Sequence, residues 1–270
     1  MTALALSPVA VPANADGPSK LEASYRATLA GLPIGGGSWV VDIDDDQYSM
    51  TVNAQANGLL RVFAGGDGTG AIRGTINGSR VTPTSYAFSI RTKDKLDEVR
   101  MALAAGSVKR LSVEPPVRPN PKRIPLTEAH KRGVVDPVSA GLVVRLGDTL
   151  GPESCRRTVH VFDGRHRFDL ALSFKRMERV KAEQGYEGPA LVCAVRYHPI
   201  GGYHEERFAN QYLAKSRDIE IWYAPIAGTR FLAAYRIALP TAIGQAVLQA
   251  TRFVAIEQGR RSGALKTRTQ

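Results

Sequence analysis

The sequence predicts a mainly β protein, built as a curved antiparallel sheet, a β-spiral or an open barrel, with one or two short helices. Two observations carry this prediction. Apolar and polar residues alternate along many short segments, and Gly, Asn and Asp cluster between those segments. Successive side chains of a strand point to opposite faces, so alternation indicates a sheet with one dry and one solvated face. Asn-Gly and Asp-Gly supply the positive φ of tight hairpin turns, which favours antiparallel neighbours.

The alternating segments extend along most of the 270-residue chain. They predict about a dozen strands joined mostly by short turns such as Asn77-Gly78 and Asp163-Gly164. The apolar positions in phase are Tyr25, Ala27 and Leu29; Trp39, Val41 and Ile43; Met50, Val52, Ala54 and Ala56; Tyr86, Phe88 and Ile90; Val99, Met101 and Leu103; Phe168, Leu170, Leu172 and Phe174; and Leu191, Cys193, Val195 and Tyr197.

Two segments depart from the strand pattern. Residues 114–125 contain five prolines, which exclude a central strand or a helix and predict a long surface loop. Asp136-Pro137 combines an N-cap residue with a proline suited to the first helical position, and the apolar spacing after it predicts a helix over 137–146. A second, weaker helical pattern covers 203–214.

The two termini differ in composition from the rest of the chain. Residues 3–15 are uncharged and end in Ala13-Asn14-Ala15, the small-x-small pattern of a secretory cleavage site. We therefore expect residues 1–15 to be a signal peptide, truncated because a basic n-region is missing; the alternative is a disordered Ala/Pro-rich terminus. Residues 16–257 are expected to form a single β-rich domain, and 258–270 a basic disordered tail.

The net charge of +11 is concentrated in the proline-rich region and the tail. Such segments are usually solvated, and they can contact anionic lipid or polymer. Nucleic-acid binding is disfavoured, because the sequence has no recognition helix and no aromatic-basic sheet motif. No apolar run is long enough to indicate a transmembrane helix.

The chain has two cysteines, Cys155 and Cys193. Cys193 shares the phase of an apolar strand, so it is expected to face the dry side. Three interpretations follow from the residues alone: a structural disulfide, two buried free thiols, or a catalytic thiol. Export favours the disulfide, because an even number of cysteines in an oxidising compartment usually pairs.

A set of ordered segments resembles the bacterial domain of unknown function 3108. The segments are YRATLAGLPIGGGSW, AQANGLLRVFAG, VVDPVSAGLVV, CRRTVHVFDGRHRFDLAL, CAVRYHPIGGY, DIEIWYAP and FLAAYRIALPTAIGQAVLQATRF. The resemblance spans about residues 21–256 and implies an exported, β-rich envelope protein. It supplies no catalytic residues to carry over.

Three groups of polar residues are candidate sites, but their patterns do not indicate a catalytic, cofactor-binding or metal-binding residue. In the first group, a loop containing Gly201-Gly202 separates the two histidines. The second group has histidines and an aspartate, but the sequence has no G-x-S-x-G elbow to hold a serine nucleophile. The third lacks the glycine and the distal glutamate of a calcium loop. The groups are His198, His204, Glu205 and Glu206; His160, Asp163, Arg165, His166 and Arg167; and Asp42, Asp44, Asp45 and Asp46.

The sequence therefore predicts a periplasmic protein, soluble or peripherally associated with the envelope, that needs no cofactor. Its predicted role is to support envelope integrity, holding a lipid, a glycan or a polypeptide in a concave β face. Aromatic residues such as Trp39, Trp222 and Tyr223 are expected in the core or around a ligand cavity. Two alternatives stay open: a hydrolase acting on an envelope polymer, and an interaction protein without a ligand site that docks on another envelope protein.

Overall fold

The computed structural model describes residues 19–44, 46–57, 66–147 and 149–257. The predicted leader 1–15 and the predicted basic tail 258–270 lie outside the described residues. Within them the chain forms fifteen strands, one α-helix and three 3₁₀ turns. The strands make one curled sheet that does not close into a barrel, and its neighbours are antiparallel except at the two-residue strand β11. The predicted fold class is confirmed.

The first half of the sheet is a meander in which each strand pairs with the next. Short turns make several of these connections, such as the β4–β5 turn at Gly78, which has a φ of +58°. The strands are β1 (Ser19–Leu29), β2 (Leu32–Asp44), β3 (Gln47–Ala56), β4 (Gly66–Asn77), β5 (Arg80–Thr92), β6 (Leu96–Ala104) and β7 (Ser107–Glu114).

The second half returns to the first strand and extends the sheet in the other direction. The order across the whole sheet is β7-β6-β5-β4-β3-β2-β1-β15-β14-β13-β12-β10-β9, with β8 on β14 and β11 on β15. These strands are β8 (Leu142–Val144), β9 (Arg157–Phe162), β10 (Arg167–Lys181), β11 (Gln184–Gly185), β12 (Glu187–Gly201), β13 (Ile219–Pro225), β14 (Phe231–Thr241) and β15 (Gly244–Glu257).

The core lies on the inner face of the curl, where the alternating apolar residues meet. Trp39, Val41 and Ile43 are all buried, as their shared phase predicts. Ile90 and Phe174 are exceptions, because they are 42% and 41% exposed although both are in phase with buried neighbours. Ile90 lies toward the end of β5, whereas Phe174 lies in the middle of β10, where a register shift directly follows it.

The predicted helix over 137–146 is wrong. Asp136 does cap a turn, since its Oδ1 accepts hydrogen bonds from the backbone N–H groups of Val138 and Ser139, each at 2.9 Å. The turn is a 3₁₀ segment (Ser139–Gly141), and the chain then continues as β8.

Strand pairing outweighs helical spacing at this point. Strand β15 pairs with β14 only from Arg236 onward, so the buried backbone of 231–233 needs another partner, and β8 supplies it. The β-branched pair Val143-Val144 also fits a pleated surface better than a helix.

A helix does form near the second predicted site, but it starts later than expected. It is α1 (Phe208–Lys215), whereas the pattern predicted 203–214. The preceding residues pair instead with the proline-rich loop: the N–H of Ile124 donates to the carbonyl of Tyr203 at 3.0 Å. The last part of that loop is therefore tied to the sheet through residues 202–204.

The curl brings the two ends of the sheet toward each other. Arg165, in the turn between β9 and β10, donates to the carbonyl of Glu114 on β7 at 3.0 Å and to Asp97 at 3.3 Å. A strap, defined here as residues 133–146, fills the gap between the two ends. Val135 in the strap bonds to β9 through His160 and Phe162, and the N–H of Val134 donates to the carbonyl of Gly106. We call this junction the seam.

Candidate functional site

A cleft of about 730 Å³ opens at the seam. Its walls come from the strap, the first half of β9, and the turns that join β4 to β5 and β6 to β7. We call it the seam cleft. Its lining residues are Asn77, Ser79, Arg80, Val81, Thr82, Ala105, Gly106, Gly133, Val134, Val135, Ser139, Ala140, Leu142, Val143, Val144, Leu146, Arg157, Thr158, Val159 and His160.

The seam cleft has mainly aliphatic walls and a positive electrostatic character. Half of its described lining residues are Ala, Val or Leu, and His160 is the one aromatic side chain among them. That same described lining includes two arginines, Arg80 and Arg157, but no Asp or Glu. Large apolar pockets with a few convergent polar groups are the usual form of small-molecule sites. This combination is suited to an apolar ligand that carries negative charge.

Arg157 is the half-buried cation of the cleft. Its Nη2 donates to the carbonyl of Val144 at 2.9 Å, while its buried Nε has no hydrogen-bond partner. Within the described part of the chain no carboxylate forms an ion pair with it. Burial lowers the pKa of the guanidinium, because desolvation disfavours the charged form.

A buried polar network lies behind the cleft. Asp136 is fully buried, and its Oδ2 has no partner among the described residues. The hydroxyl groups of Ser139 and Tyr48 lie 3.0 Å apart. Burial raises the pKa of the Asp136 carboxyl, and burial likewise raises the pKa of Tyr48. The strap is therefore held from the inside by the hydrogen bonds of a buried carboxyl whose pKa is raised.

Two histidine–aspartate pairs lie on and beside β9. His160 Nδ1 is 2.6 Å from Asp169 Oδ1, and Arg167 donates to the same oxygen at 2.5 Å. His166 Nδ1 is 3.0 Å from Asp163 Oδ2, within the β9–β10 turn. The described hydrogen bonds link neither histidine to a serine hydroxyl. The arrangement thus lacks the nucleophile–base contact that a catalytic triad needs.

The two cysteines are joined by a disulfide in the structure. Their Cα atoms are 5.6 Å apart, and both residues are fully buried. Cys155 ends a 3₁₀ turn (Pro152–Cys155) directly before β9, and Cys193 lies in the middle of β12. Because Cys155 precedes Arg157 by two positions, the bond anchors the start of the strand that carries the buried cation.

The other predicted candidates do not assemble into a site. His198 lies on β12 and is exposed, whereas His204 pairs with the proline-rich loop at Arg123. Glu206 forms an ion pair with Lys122 on the surface. Asp42 and Asp44 end β2, and Asp45 lies outside the described residues.

Neither a metal-binding cluster nor a membrane-spanning helix is found in the described ranges. Across them no cluster of three or more His, Cys, Asp or Glu is arranged to hold a metal ion. In the same ranges no helix has the length and apolar character needed to span a bilayer.

The predicted aromatic residues pack into the core rather than lining the cleft. Trp39, Trp222 and Tyr223 are all buried. The guanidinium groups of Arg176 and Arg236 lie over the Trp222 ring, 5.4 and 4.9 Å from its centroid. Cation–π contacts of this kind stabilise the packing of β10 and β14 against β13.

Neither of the two cleft arginines nor the burial of Asp136 was predicted from the sequence. One signal was present for Arg157, because it shares the strand phase of Val159 and Val161 and is therefore an inward-phase cation. Arg80 follows a turn and gave no such signal. Asp136 was recognised only as a cap, since its burial depends on the strap's position in the seam.

A family profile described as "Protein of unknown function (DUF3108)" matches residues 24–251. No curated protein sequence matches the chain. Among solved structures, the chain is similar to the crystal structure of a β-barrel-like protein of domain of unknown function DUF1849 from Brucella abortus. That similarity has a TM-score of 0.44 and 8% sequence identity, and it covers 90% of this chain and 99% of the other.

Proposed function

The chain belongs to the DUF3108 family, and from this premise we propose that it is an exported envelope protein that binds a ligand in the seam cleft. In this proposal the protein is periplasmic, supports envelope integrity, and holds a lipid, a glycan or a polypeptide without transforming it. The proposal rests on the mainly aliphatic cleft of about 730 Å³ and on its half-buried Arg157, which has no ion-pair partner among the described residues.

The disulfide supports the export part of the proposal. Disulfides persist in oxidising compartments such as the bacterial periplasm, and they are rare in reducing cytosol. Cys155 and Cys193 are buried and far apart in sequence, by 38 positions, which suits a structural bond rather than a redox-active pair.

The alternative function for the cleft is hydrolysis of an envelope polymer. Ser139 and His160 both line it, so a nucleophile and a base lie in one cavity. The described hydrogen bonds nevertheless pair Ser139 with Tyr48, and His160 with Asp169. These partners favour a structural role for both residues, and the aliphatic walls favour binding over catalysis.

Native mass spectrometry of the protein purified from its own periplasm tests the proposal. We expect a bound molecule that survives gentle ionisation and dissociates on activation. Val81→Trp should fill the cleft and abolish the adduct, because Val81 is half-buried in the wall. Val254→Trp, at a half-buried position on β15 away from the cleft, is the control and should retain it. An adduct that persists in Val81→Trp, or no adduct in any form, would contradict the proposal.

A further inference from the structure

We infer that the seam cleft takes a single-chain amphiphile with an anionic head group, and that Arg157 binds the head group. This inference rests on the proposed function, and it narrows the ligand to one chemical class. The shared chemistry is an acyl or alkyl chain that ends in a carboxylate or a phosphate.

The walls select the chain. Val81, Leu146 and Val159 line the cleft and are only partly buried, so they present aliphatic surface that loses contact with water when a hydrocarbon chain lies on it. Burying sugar hydroxyls or peptide groups without hydrogen-bond partners is unfavourable in free energy. The aliphatic wall supplies few such partners, so an alkyl chain matches it better than a glycan or a polypeptide.

The cations select the head group. Among the described residues, the Arg157 guanidinium makes one hydrogen bond, to the Val144 carbonyl, and its buried Nε has no partner. A charge held in a partly apolar site without a counterion is unfavourable, so a ligand anion would relieve that cost. Among the lining residues that the structure describes, no Asp or Glu is present to repel such an anion, and the exposed Arg80 at the start of β5 adds a second positive charge.

Calorimetric titration with matched amphiphiles tests the inference. The probes are dodecanoate, dodecyl phosphate, dodecanol and acetate, which separate the two anion types from the neutral chain and from the head group alone. We expect wild-type protein to bind the better of the two anionic amphiphiles about ten-fold or more tightly than dodecanol, and to show no binding of acetate. The anion that binds more tightly shows whether the head group of the ligand is a carboxylate or a phosphate.

Three variants make the result specific to Arg157. Arg157→Gln should bring the ratio of anion to alcohol affinity close to one, whereas Arg157→Lys should keep a preference for the anion. Arg110→Gln removes an exposed arginine on β7 outside the cleft, and it should leave the ratio unchanged. Because the readout is a ratio, a partial loss of folded protein does not alter it.

The outcomes separate this inference from the proposed function. Equal binding of anion and alcohol by the wild type, or a ratio that survives Arg157→Gln, overturns the inference. If neither amphiphile binds while native mass spectrometry finds a neutral glycan or a peptide that Val81→Trp displaces, the inference falls and the proposed function stands. If no molecule of any class occupies the cleft, both fall.

Discussion

Asp136 shows how one residue links the local turn to the packing of the seam. Its Oδ1 accepts two backbone hydrogen bonds that hold the 3₁₀ turn of the strap, and its Oδ2 is buried without a partner. A buried carboxylate is unfavourable unless its charge is compensated, so burial raises the pKa of this group. The residue therefore combines a stabilising cap with a carboxyl that resists ionisation.

We expect stability to depend on pH through Asp136. A raised folded-state pKa means that the protonated carboxyl contributes stability below the unfolded value of about 3.9, and that this contribution is lost as pH rises through the folded pKa. The free energy of unfolding of the wild type, relative to Asp136→Asn, should fall over that window and then level off. Urea unfolding at a series of pH values measures it, and a difference that stays constant from acid to neutral pH would contradict the account.

Asp169 provides a control of opposite sign. Desolvation acts to raise the pKa of its carboxyl, but the hydrogen bonds from His160 and Arg167 outweigh it, and the pKa is lowered. Its contribution is therefore present above the unfolded pKa and is lost as pH falls through the folded value. In the same experiment, wild-type stability relative to Asp169→Asn should rise with pH.

At the scale of elements, one glycine on β4, Gly74, makes room for Tyr48, whose hydroxyl lies 3.0 Å from the hydroxyl of Ser139 in the strap. A Cβ at Gly74 would overlap the Tyr48 ring and the carbonyl of Thr82, whereas a Cβ at Gly68 would make ordinary contacts of 3.4 and 3.5 Å with Phe88 and Ala54. The first position is needed for a close approach, and the second is not.

We expect Gly74→Ala to destabilise the protein by about 1–3 kcal/mol, since the overlap must displace Tyr48 or the backbone. Gly68→Ala is the matched control on the same strand, and it should be neutral or stabilising by roughly 0.5–1 kcal/mol, because glycine within a strand is unfavourable relative to alanine. Equilibrium unfolding of both variants measures the difference. Equal effects at the two positions would show that the Tyr48 packing is not as described.

The disulfide is the second element-scale feature to test. It closes a loop of 38 positions and ties the turn before β9 to the centre of β12. We expect the paired change Cys155→Ser and Cys193→Ser to lower the free energy of unfolding by about 2–5 kcal/mol. Thiol labelling in denaturant without reductant should find no free thiol in protein from an oxidising compartment. Two free thiols per chain would contradict the bond.

The strand pattern was predictable from sequence, whereas the strap was not. The phase of Trp39, Val41 and Ile43 gave their burial directly, since a strand's alternation is local. The stretch 142–144 carried helical spacing, but its conformation depends on a backbone partner more than eighty positions away on β14. Such nonlocal pairing leaves little trace in the local pattern, and the same limit hid the seam cleft.

At the scale of the whole molecule, the open curl produces the site. A fully closed barrel would pair its first and last strands, but here β7 and β9 stay unpaired with each other and the strap lies between them. The cleft forms where that filling is incomplete. The position of the seam cleft therefore follows from sheet topology rather than from a sequence motif.

We expect the mature chain to begin near Asp16, because Ala13-Asn14-Ala15 matches a signal-peptidase site. N-terminal sequencing of the protein from a periplasmic fraction measures this start. Ala13→Phe and Ala15→Phe should block processing, since the site requires small residues, whereas Ala10→Phe is the control and should be processed. Finding Met1 or Thr2 at the N-terminus of the periplasmic protein would contradict the prediction.

The most direct test of the ligand-binding account is a crystal structure of the protein purified from its own periplasm without refolding. The account predicts continuous electron density in the seam cleft, along Val81 and Val159, that ends in an anionic group within about 3.2 Å of the Arg157 guanidinium. A ligand bound elsewhere on the sheet beside an empty cleft, or a cleft closed by the strap in ligand-free protein of native origin, would contradict it.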